Sequence, residues 1–368
     1  MGFDVLAARR DLPSATASVY LNAGTFGPLP RPAHEAMLSH MGASYTQGRI
    51  GFAGFQGWLA QMDAARAAFG RSLGVSPDEL ALTHCTTDGL NTVLWGLDLK
   101  AGDEVLTTTH EHPGLTAPLD EVARVRGIRV RMVEPARIAE EVRPETRLVA
   151  VSHVLWTTGE VLPLPAIAAA ARAHGAQLLV DGAQSTGAIP VDLHASGADF
   201  YTVSGQKWFC GPSGTGALWV RPSALAGLGT PWPWYLSQSR SSKGAEPWTT
   251  ARRLDASTIS MTSLAGIIGA LGWHKEQVDA GALGWAAARA TDLRARLQGL
   301  SKVRLIPVQN ASTIVSFTVE GVSAAAVAGH LEKLGVLVRS IPGVEYVRAA
   351  VGFWNDDGDL TRLVAGLG

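Results

Sequence analysis

Cysteine is almost missing from this chain: 368 residues contain two, Cys85 and Cys210. Two thiols build no disulfide framework, and their spacing fits no zinc ribbon or finger, so no metal site is expected and both are read as small packing residues. An excess of one charge is missing too. With 31 basic and 32 acidic side chains the net charge is −1, which leaves no broad electrostatic footprint for nucleic acid or an anionic membrane surface. No apolar run is long enough to span a bilayer. The opening Met1 to Pro13 sets Asp4, Arg9, Arg10 and Asp11 among its apolar residues, so it lacks the apolar centre of a signal peptide. Internal repeats and low-complexity tracts are also missing. These absences point to a cytoplasmic protein whose partners are small molecules.

What is present is a long alternation of strand and helix patterns. Residues 79–84 read as a strand that turns into a helix at Cys85-Thr-Thr, and strands follow at 103–108, 128–133, 147–153, 178–180 and 199–204. Helical patterns at 119–126 and 166–174 lie between them, the signature of an α/β fold with a parallel sheet. Trp58 to Leu73 reads as a helix with Leu59, Met62, Ala65 and Phe69 on its core face, while Gly42 to Phe55 shows no clean period. The stretch 230–250 is Pro-, Trp- and Ser-rich, as a mobile cover over a site or a subunit boundary would be. A helix from Leu264 to about Val278 leads into a smaller α+β unit with helices at 286–297, 323–334 and 359–367 and strands at 303–306, 313–319, 336–339 and 346–349. The length suits two domains, expected at 20–262 and at 263–368 together with 1–19.

The most interpretable chemistry lies between residues 177 and 220. Asp181 ends the apolar strand Leu178 to Val180, where open α/β sheets place ligand-binding groups. Lys207 sits among Ser204-Gly205-Gln206 and Trp208-Phe209, and desolvation there lowers an amine's pKa and frees it to attack a carbonyl. A lysine for a Schiff base and a carboxylate to keep a pyridine nitrogen protonated are what pyridoxal phosphate requires. Taken singly, Asp181 is a turn former and Lys207 a snorkelling surface residue; the ordered combination carries the cofactor reading. The glycine-rich run Gly211 to Gly216 leads into a strand rather than a helix and lacks a Gly-Lys-Ser/Thr ending, so it is no nucleotide loop. Thr86 and Thr87, at the start of the helix after Cys85, suit a phosphate: hydroxyls and free amides at a helix N-terminus bind anions.

Asp181-Gly-Ala-Gln-Ser185 followed by Ser204-Gly-Gln-Lys207 resembles the cofactor site of class V aminotransferases, a superfamily that holds cysteine desulfurases, kynureninases and isopenicillin-N-epimerase-like proteins. The resemblance implies the two-domain aspartate-aminotransferase architecture (PLP-dependent transferase fold type I) and a homodimer with its active site at the subunit interface. It also implies roles. Lys207 would carry the Schiff base, Asp181 would pair with the pyridine nitrogen, Gln184 would contact the ring hydroxyl, and Ser204 and Gln206 would face the phosphate. Gln206 stands where desulfurases carry histidine. His112, in the loop Thr109-His-Glu-His-Pro-Gly, would stack on the cofactor ring in preference to His110, and Thr258 would reach the phosphate of the neighbouring subunit. Asn22 and Gly24 lie in what resembles the loop admitting substrate, Trp156 would shape the substrate pocket, and Arg339 and Arg348 would receive the substrate carboxylate, Arg348 foremost.

The implied activity is chemistry at the α-carbon of an amino acid: epimerisation, elimination with C–S cleavage, or transamination, with the motifs closest to isopenicillin-N-epimerase-like members. A cysteine desulfurase needs a nucleophilic cysteine in the late loop between the two arginines, and Arg339-Ser-Ile-Pro-Gly-Val-Glu-Tyr-Val-Arg348 has none. A non-catalytic binding or scaffold protein is the remaining alternative, and retention of Lys207, Asp181, Gln184 and the threonine pair speaks against it.

Overall fold

A computed structural model describes residues 2–49, 51–241 and 244–368. Seven strands form the main sheet: β1 (Leu80–Thr83), β2 (Glu104–Thr108), β3 (Arg129–Val133), β4 (Thr146–Ser152), β5 (Gln177–Asp181), β6 (Phe200–Ser204) and β7 (Gly216–Val220). Their order across the sheet is β1-β7-β6-β5-β4-β2-β3, and β7 runs antiparallel to both its neighbours while the other pairings are parallel. Strands β1, β2, β6 and β7 are buried along their whole length, which is why they read as apolar runs rather than alternations. Leu178 and Val180 enter one core with Phe69, Tyr201, Trp219 and Ile267. Leu179, between them, enters the opposite core with Leu90, Val93, Leu115 and Phe200.

Helices α1 (Arg31–Gln47), α2 (Phe52–Leu73), α3 (Thr86–Gly96), α4 (Pro113–Arg126), α5 (Leu164–Ala173) and α6 (Met261–Asp279) accompany this sheet. Met62, Ala65 and Phe69 of α2 are buried, as the periodicity predicts. Residues 42–55, which show no clean period, belong largely to α1 and the first turn of α2. Their period is masked because Leu38, Met41, Tyr45 and Phe52 point outward rather than into the core of this chain. Helix α4 begins six residues before the expected start, with Pro113 in its first turn and Pro118 inside it. Of the stretch 230–250, Ser242 and Lys243 lie outside the described residues, and on either side of them Gln238–Ser241 pairs antiparallel with Gly244–Pro247. Among the described residues no helix is long and apolar enough to cross a membrane.

The second sheet has four antiparallel strands, β8 (Val303–Leu305), β9 (Ile314–Val319), β10 (Arg339–Ile341) and β11 (Tyr346–Ala350), in the order β8-β9-β11-β10. Helices α7 (Ala282–Gln298), α8 (Ala324–Lys333) and α9 (Asp357–Ala365) cover it. The amino-terminal segment reaches across to this half. Val19 and Tyr20 pair with Val336 and Leu337, the Leu21 carbonyl accepts from Ala350 N–H, and the Trp354 indole donates to the Tyr20 carbonyl. Residues 24–27 then return to the main sheet, so this segment ties the two halves together beside the site.

Candidate active site

The carboxyl ends of β2, β4, β5 and β6 open on one cavity of about 210 Å³. In an open α/β sheet this is where ligands bind. Its lining includes Gly24, Thr86, Thr87, His112, Trp156, Asp181, Gln184, Ser204, Gln206, Lys207, Arg339 and Arg348, so twelve of the residues chosen from sequence meet in one place.

Asp181 ends β5 and is 4% exposed. Its Oδ1 accepts the Ala183 N–H at 2.9 Å. Burial raises its pKa, and the Lys207 ammonium counteracts that shift. Lys207 is delivered by the tight turn after β6. Burial lowers its amine to about 8, against a raising effect from Asp181 and with further lowering from Arg348. Near neutral pH this amine exchanges its proton readily, as a nucleophile or base must. Gly27 lies against the same turn: its N–H donates to the Gln206 carbonyl, and a β-carbon there would come within 2.0 Å of the Lys207 carbonyl oxygen.

Thr86 and Thr87 open α3, and Cys85 at the N-cap makes no side-chain capping bond. The free amides of this helix end are therefore left for an anion. His112 caps α4 with Nδ1 accepting the Gly114 N–H at 2.9 Å, so its proton sits on Nε2. Burial, then Lys207, Arg348 and Arg339, lower it to about 4, and the ring is neutral. It stands edge-on to Trp156, with ring centres 4.8 Å apart. Gln184 is held at both ends of its amide: Nε2 donates to the Gly24 carbonyl at 2.8 Å and Oε1 accepts from the Trp208 indole at 2.9 Å. Ser204 Oγ donates to Gln206 Oε1 at 2.8 Å.

Arg348 is 1% exposed. Nη1 donates to the Trp156 carbonyl at 3.0 Å, Nη2 approaches Thr25 Oγ1 at 3.4 Å, and Nε is buried without a partner. Burial and the adjacent Arg339, its cross-strand neighbour on β10, pull its pKa down to about 9. Among the described residues it has no carboxylate partner, and the Trp156 indole Nε1 is likewise buried and unpaired. A buried guanidinium without a counter-ion is a receptor for an anion.

Two expectations are corrected. Asn22 stands back from the cavity, accepting from Thr25 Oγ1 at 2.8 Å, and Gly24 and Thr25 form the wall instead. Cys85 does not pack in a core but is half-buried on the cavity wall; Cys210 is fully buried, as read. Thr258 is exposed, outside its own chain's cavity, beside Met41 and Tyr45. His110 turns away to Thr157. Sequence reasoning passed over Thr25, Ser152 and Val154, which line the cavity, and Glu111, buried just behind Ser152. The acid between two histidines was the visible trace of Glu111, but nothing local marks its burial.

An uncapped helix end, a buried carboxylate across from a lysine of lowered pKa and an unpaired guanidinium together fit pyridoxal phosphate and an amino-acid carboxylate. Comparison with known proteins agrees. The family model for aminotransferase class-V matches residues 19–356. A probable cysteine desulfurase of Methanothermobacter thermautotrophicus is 29% identical, with 98% of each chain covered. Isopenicillin N epimerase of Streptomyces clavuligerus is 34% identical over 57% of this chain and 55% of its own. Among solved structures, a variant of C-DES with glycine covalently linked to its PLP cofactor superposes with a TM-score of 0.93 at 31% identity, covering 98% of both chains. The cystine C–S lyase C-DES in complex with its reaction product, cysteine persulfide, gives 0.91 at 32% identity, covering 97% of this chain and 98% of its own. The chain belongs to the class V aminotransferase family and is a pyridoxal-phosphate-dependent enzyme of fold type I.

Proposed function

We propose that this enzyme cleaves the carbon–sulfur bond of a cysteine- or cystine-type amino acid by β-elimination. The observation that carries this reading is the hairpin of β10 and β11. Four residues, Pro342 to Glu345, close it, and no thiol lies between Arg339 and Arg348. A desulfurase that stores sulfur as a protein persulfide needs a cysteine there, whereas a lyase that releases its sulfur product does not. The likeness to a cystine C–S lyase over nearly the whole chain supports the same reading.

Pyridoxal phosphate, when bound, supplies an aldehyde for amines and a ring that withdraws electrons from the α-carbon. Lys207 Nζ is the atom we assign both to the aldehyde and to removal of the α-proton. Asp181 would hold the protonated ring nitrogen, and Thr86 and Thr87 with the amides of α3 the phosphate, assisted by Ser204 and Gln206. Gln184 would face the ring hydroxyl, and the neutral His112 would lie on the ring face. Arg348 would grip the substrate carboxylate through two parallel N–H bonds, which orients the α-proton toward Lys207. With the α-proton on Nζ, the pair left at the α-carbon would form the Cα–Cβ double bond as the Cβ–S bond breaks and sulfur leaves with that bond's electrons.

The same reading includes a homodimer. Tyr45 and Phe52 are 92% and 81% exposed, and with Leu38 and Met41 they make an apolar face beside Thr258 that suits a second copy. It also includes the division at 20–262 and 263–368 with 1–19. Separate cores under the two sheets support it, although α6 straddles the boundary and lends Leu264 and Ile267 to the larger core.

The test is product analysis with cystine, cysteine and alanine. Pyruvate with sulfide or persulfide is expected from the sulfur substrates. Racemisation, or amino transfer to a keto acid with the C–S bond intact, would overturn the assignment.

A further inference from the structure

The ladder between β2 and β4 stops early. Register runs Glu104 with Thr146, Val105 with Leu148 and Leu106 with Val149, and goes no further. On the outer flanks pairing continues to the strand ends, Thr108 with Val133 and Ser152 with Asp181. The pairing therefore has a gap between the carboxyl ends of β2 and β4, beside the cavity that Ser152 lines.

Two side chains span it. Thr107 Oγ1 donates to the Ala150 carbonyl at 2.7 Å. Glu111 does more: its Oε1 accepts from Thr108 Oγ1 at 2.6 Å, and its Oε2 from the Ser152 N–H at 2.9 Å and Ser152 Oγ at 2.5 Å. Three donors thus converge on one carboxyl group that is 8% exposed. Polar groups in so dry a place are costly to leave unpaired.

What the staple holds is the site itself. Ser152 lines the cavity and is the register partner of Asp181, and the residue after Glu111 is His112. Both flanks of the assigned cofactor seat thus hang on one carboxyl group that touches neither substrate nor cofactor.

We propose that Glu111 is a positioning residue for the cofactor: it replaces the missing ladder bonds between β2 and β4 and so sets the spacing of His112 and Ser152 about Asp181. This rests on the site assignment made above, with Lys207 as the cofactor lysine. Its support is the bonding pattern across the gap. A carboxamide preserves most of that pattern, because its oxygen accepts from Ser152 and its NH2 donates to Thr108 Oγ1. A methyl preserves none of it.

The experiment titrates the apo forms of wild type, Glu111→Gln and Glu111→Ala with pyridoxal phosphate and records the visible circular dichroism of the bound cofactor. Glu111→Ala is expected to bind about tenfold or more weakly, the scale of leaving buried donors without a partner, and to lose most of the visible signal. Glu111→Gln should remain within about threefold of wild type with the signal restored. Wild-type affinity and dichroism in Glu111→Ala would overturn the proposal, and so would a Gln variant as impaired as the Ala variant. If Glu111→Ala does not fold, Thr108→Val removes one donor outside the cavity. A weakened signal there supports the proposal, and unchanged values refute it. Lys207→Ala is run in parallel with borohydride: if it still fixes the cofactor covalently, the site assignment fails along with the proposal, whereas normal loss of fixation isolates a failure to Glu111 alone.

Discussion

Removing the Arg348 guanidinium should stabilise the empty protein while disabling the enzyme. The group is charged at neutral pH, almost fully buried, and faces Arg339 across the strand pair. Its pKa, pulled from 12.5 to about 9, corresponds to about 5 kcal/mol of unfavourable environment at 1.36 kcal/mol per unit. Its bonds to Trp156 and Thr25 offset about 1–3 kcal/mol of this. Replacing Arg348 by methionine, which fills similar volume without charge, should therefore raise the unfolding free energy of the apo protein by roughly 2–4 kcal/mol, within the range found for apolar replacement of buried ions. Urea melts at pH 7 without cofactor or substrate measure this. The same variant should lose turnover on amino acids, and Arg348→Lys, which keeps the charge but not the fork, should lower kcat/KM by about 1.5–3 kcal/mol, roughly ten- to a hundredfold. An apo Arg348→Met protein less stable than wild type would show that the guanidinium is compensated within the fold and is not waiting for an anion.

Asp181→Ala should release more cofactor than Asp181→Asn, because alanine also deletes the acceptor used by Ala183, while both variants lose most turnover; equal activity of all three proteins would reduce Asp181 to a turn residue. Cys85→Ser combined with Cys210→Ser should keep most C–S lyase activity, and complete loss with cofactor still bound would make Cys85, on the cavity wall, a sulfur acceptor. Thr258→Ala should weaken cofactor binding, with cofactor released on dilution as dimers part; a monomer of unchanged affinity is incompatible with the shared site. Glu111 also sets a pH signature. Burial raises its pKa from 4.5 to about 7, so the unfolded chain gives up the proton first as pH rises. The group's contribution is whole below pH 4.5 and is lost by pH above 7, a change of about 3 kcal/mol. Glu111→Gln should therefore gain on wild type by up to that amount between pH 5 and pH 8 in urea melts, and parallel profiles would contradict it.

Asp181 and Lys207 were legible because their chemistry demands particular residue types in a particular order, and the buried strands were legible because both of their faces are dry. The end of helix α1, residues 42–47, was hard to read for the opposite reason. Its apolar side chains Leu38, Met41 and Tyr45 face outward, so the sequence period does not match the core of a single chain. The true start of α4 was hidden by two prolines that a local reading treats as breaks, although Pro113 in the first turn has no amide to lose. Thr25 reaches the cavity only because residues 24–27 fold back from the smaller half, and Glu111 matters only because a ladder stops three residues short of the end of β4. Both are facts of tertiary geometry that no local pattern encodes.

The amino-terminal tie between the two halves has a consequence for biosynthesis. The carbonyl of Tyr20 accepts from the Trp354 indole, 334 residues away along the chain, and Gly27 must seat against the lysine turn near residue 207. At about 5–20 residues per second of translation, residues 19–27 leave the ribosome roughly 15–65 s before the partners of Val19 to Leu21 exist. During that interval the main sheet can assemble as its βα units emerge, but the wall formed by Gly24 and Thr25 is tethered only on the side of Gln184 and Gln206 and lacks its anchors on the smaller half. Competence to bind cofactor should therefore appear only after release of the completed polypeptide, and nascent chains arrested before residue 336 should carry a folded sheet that does not turn yellow.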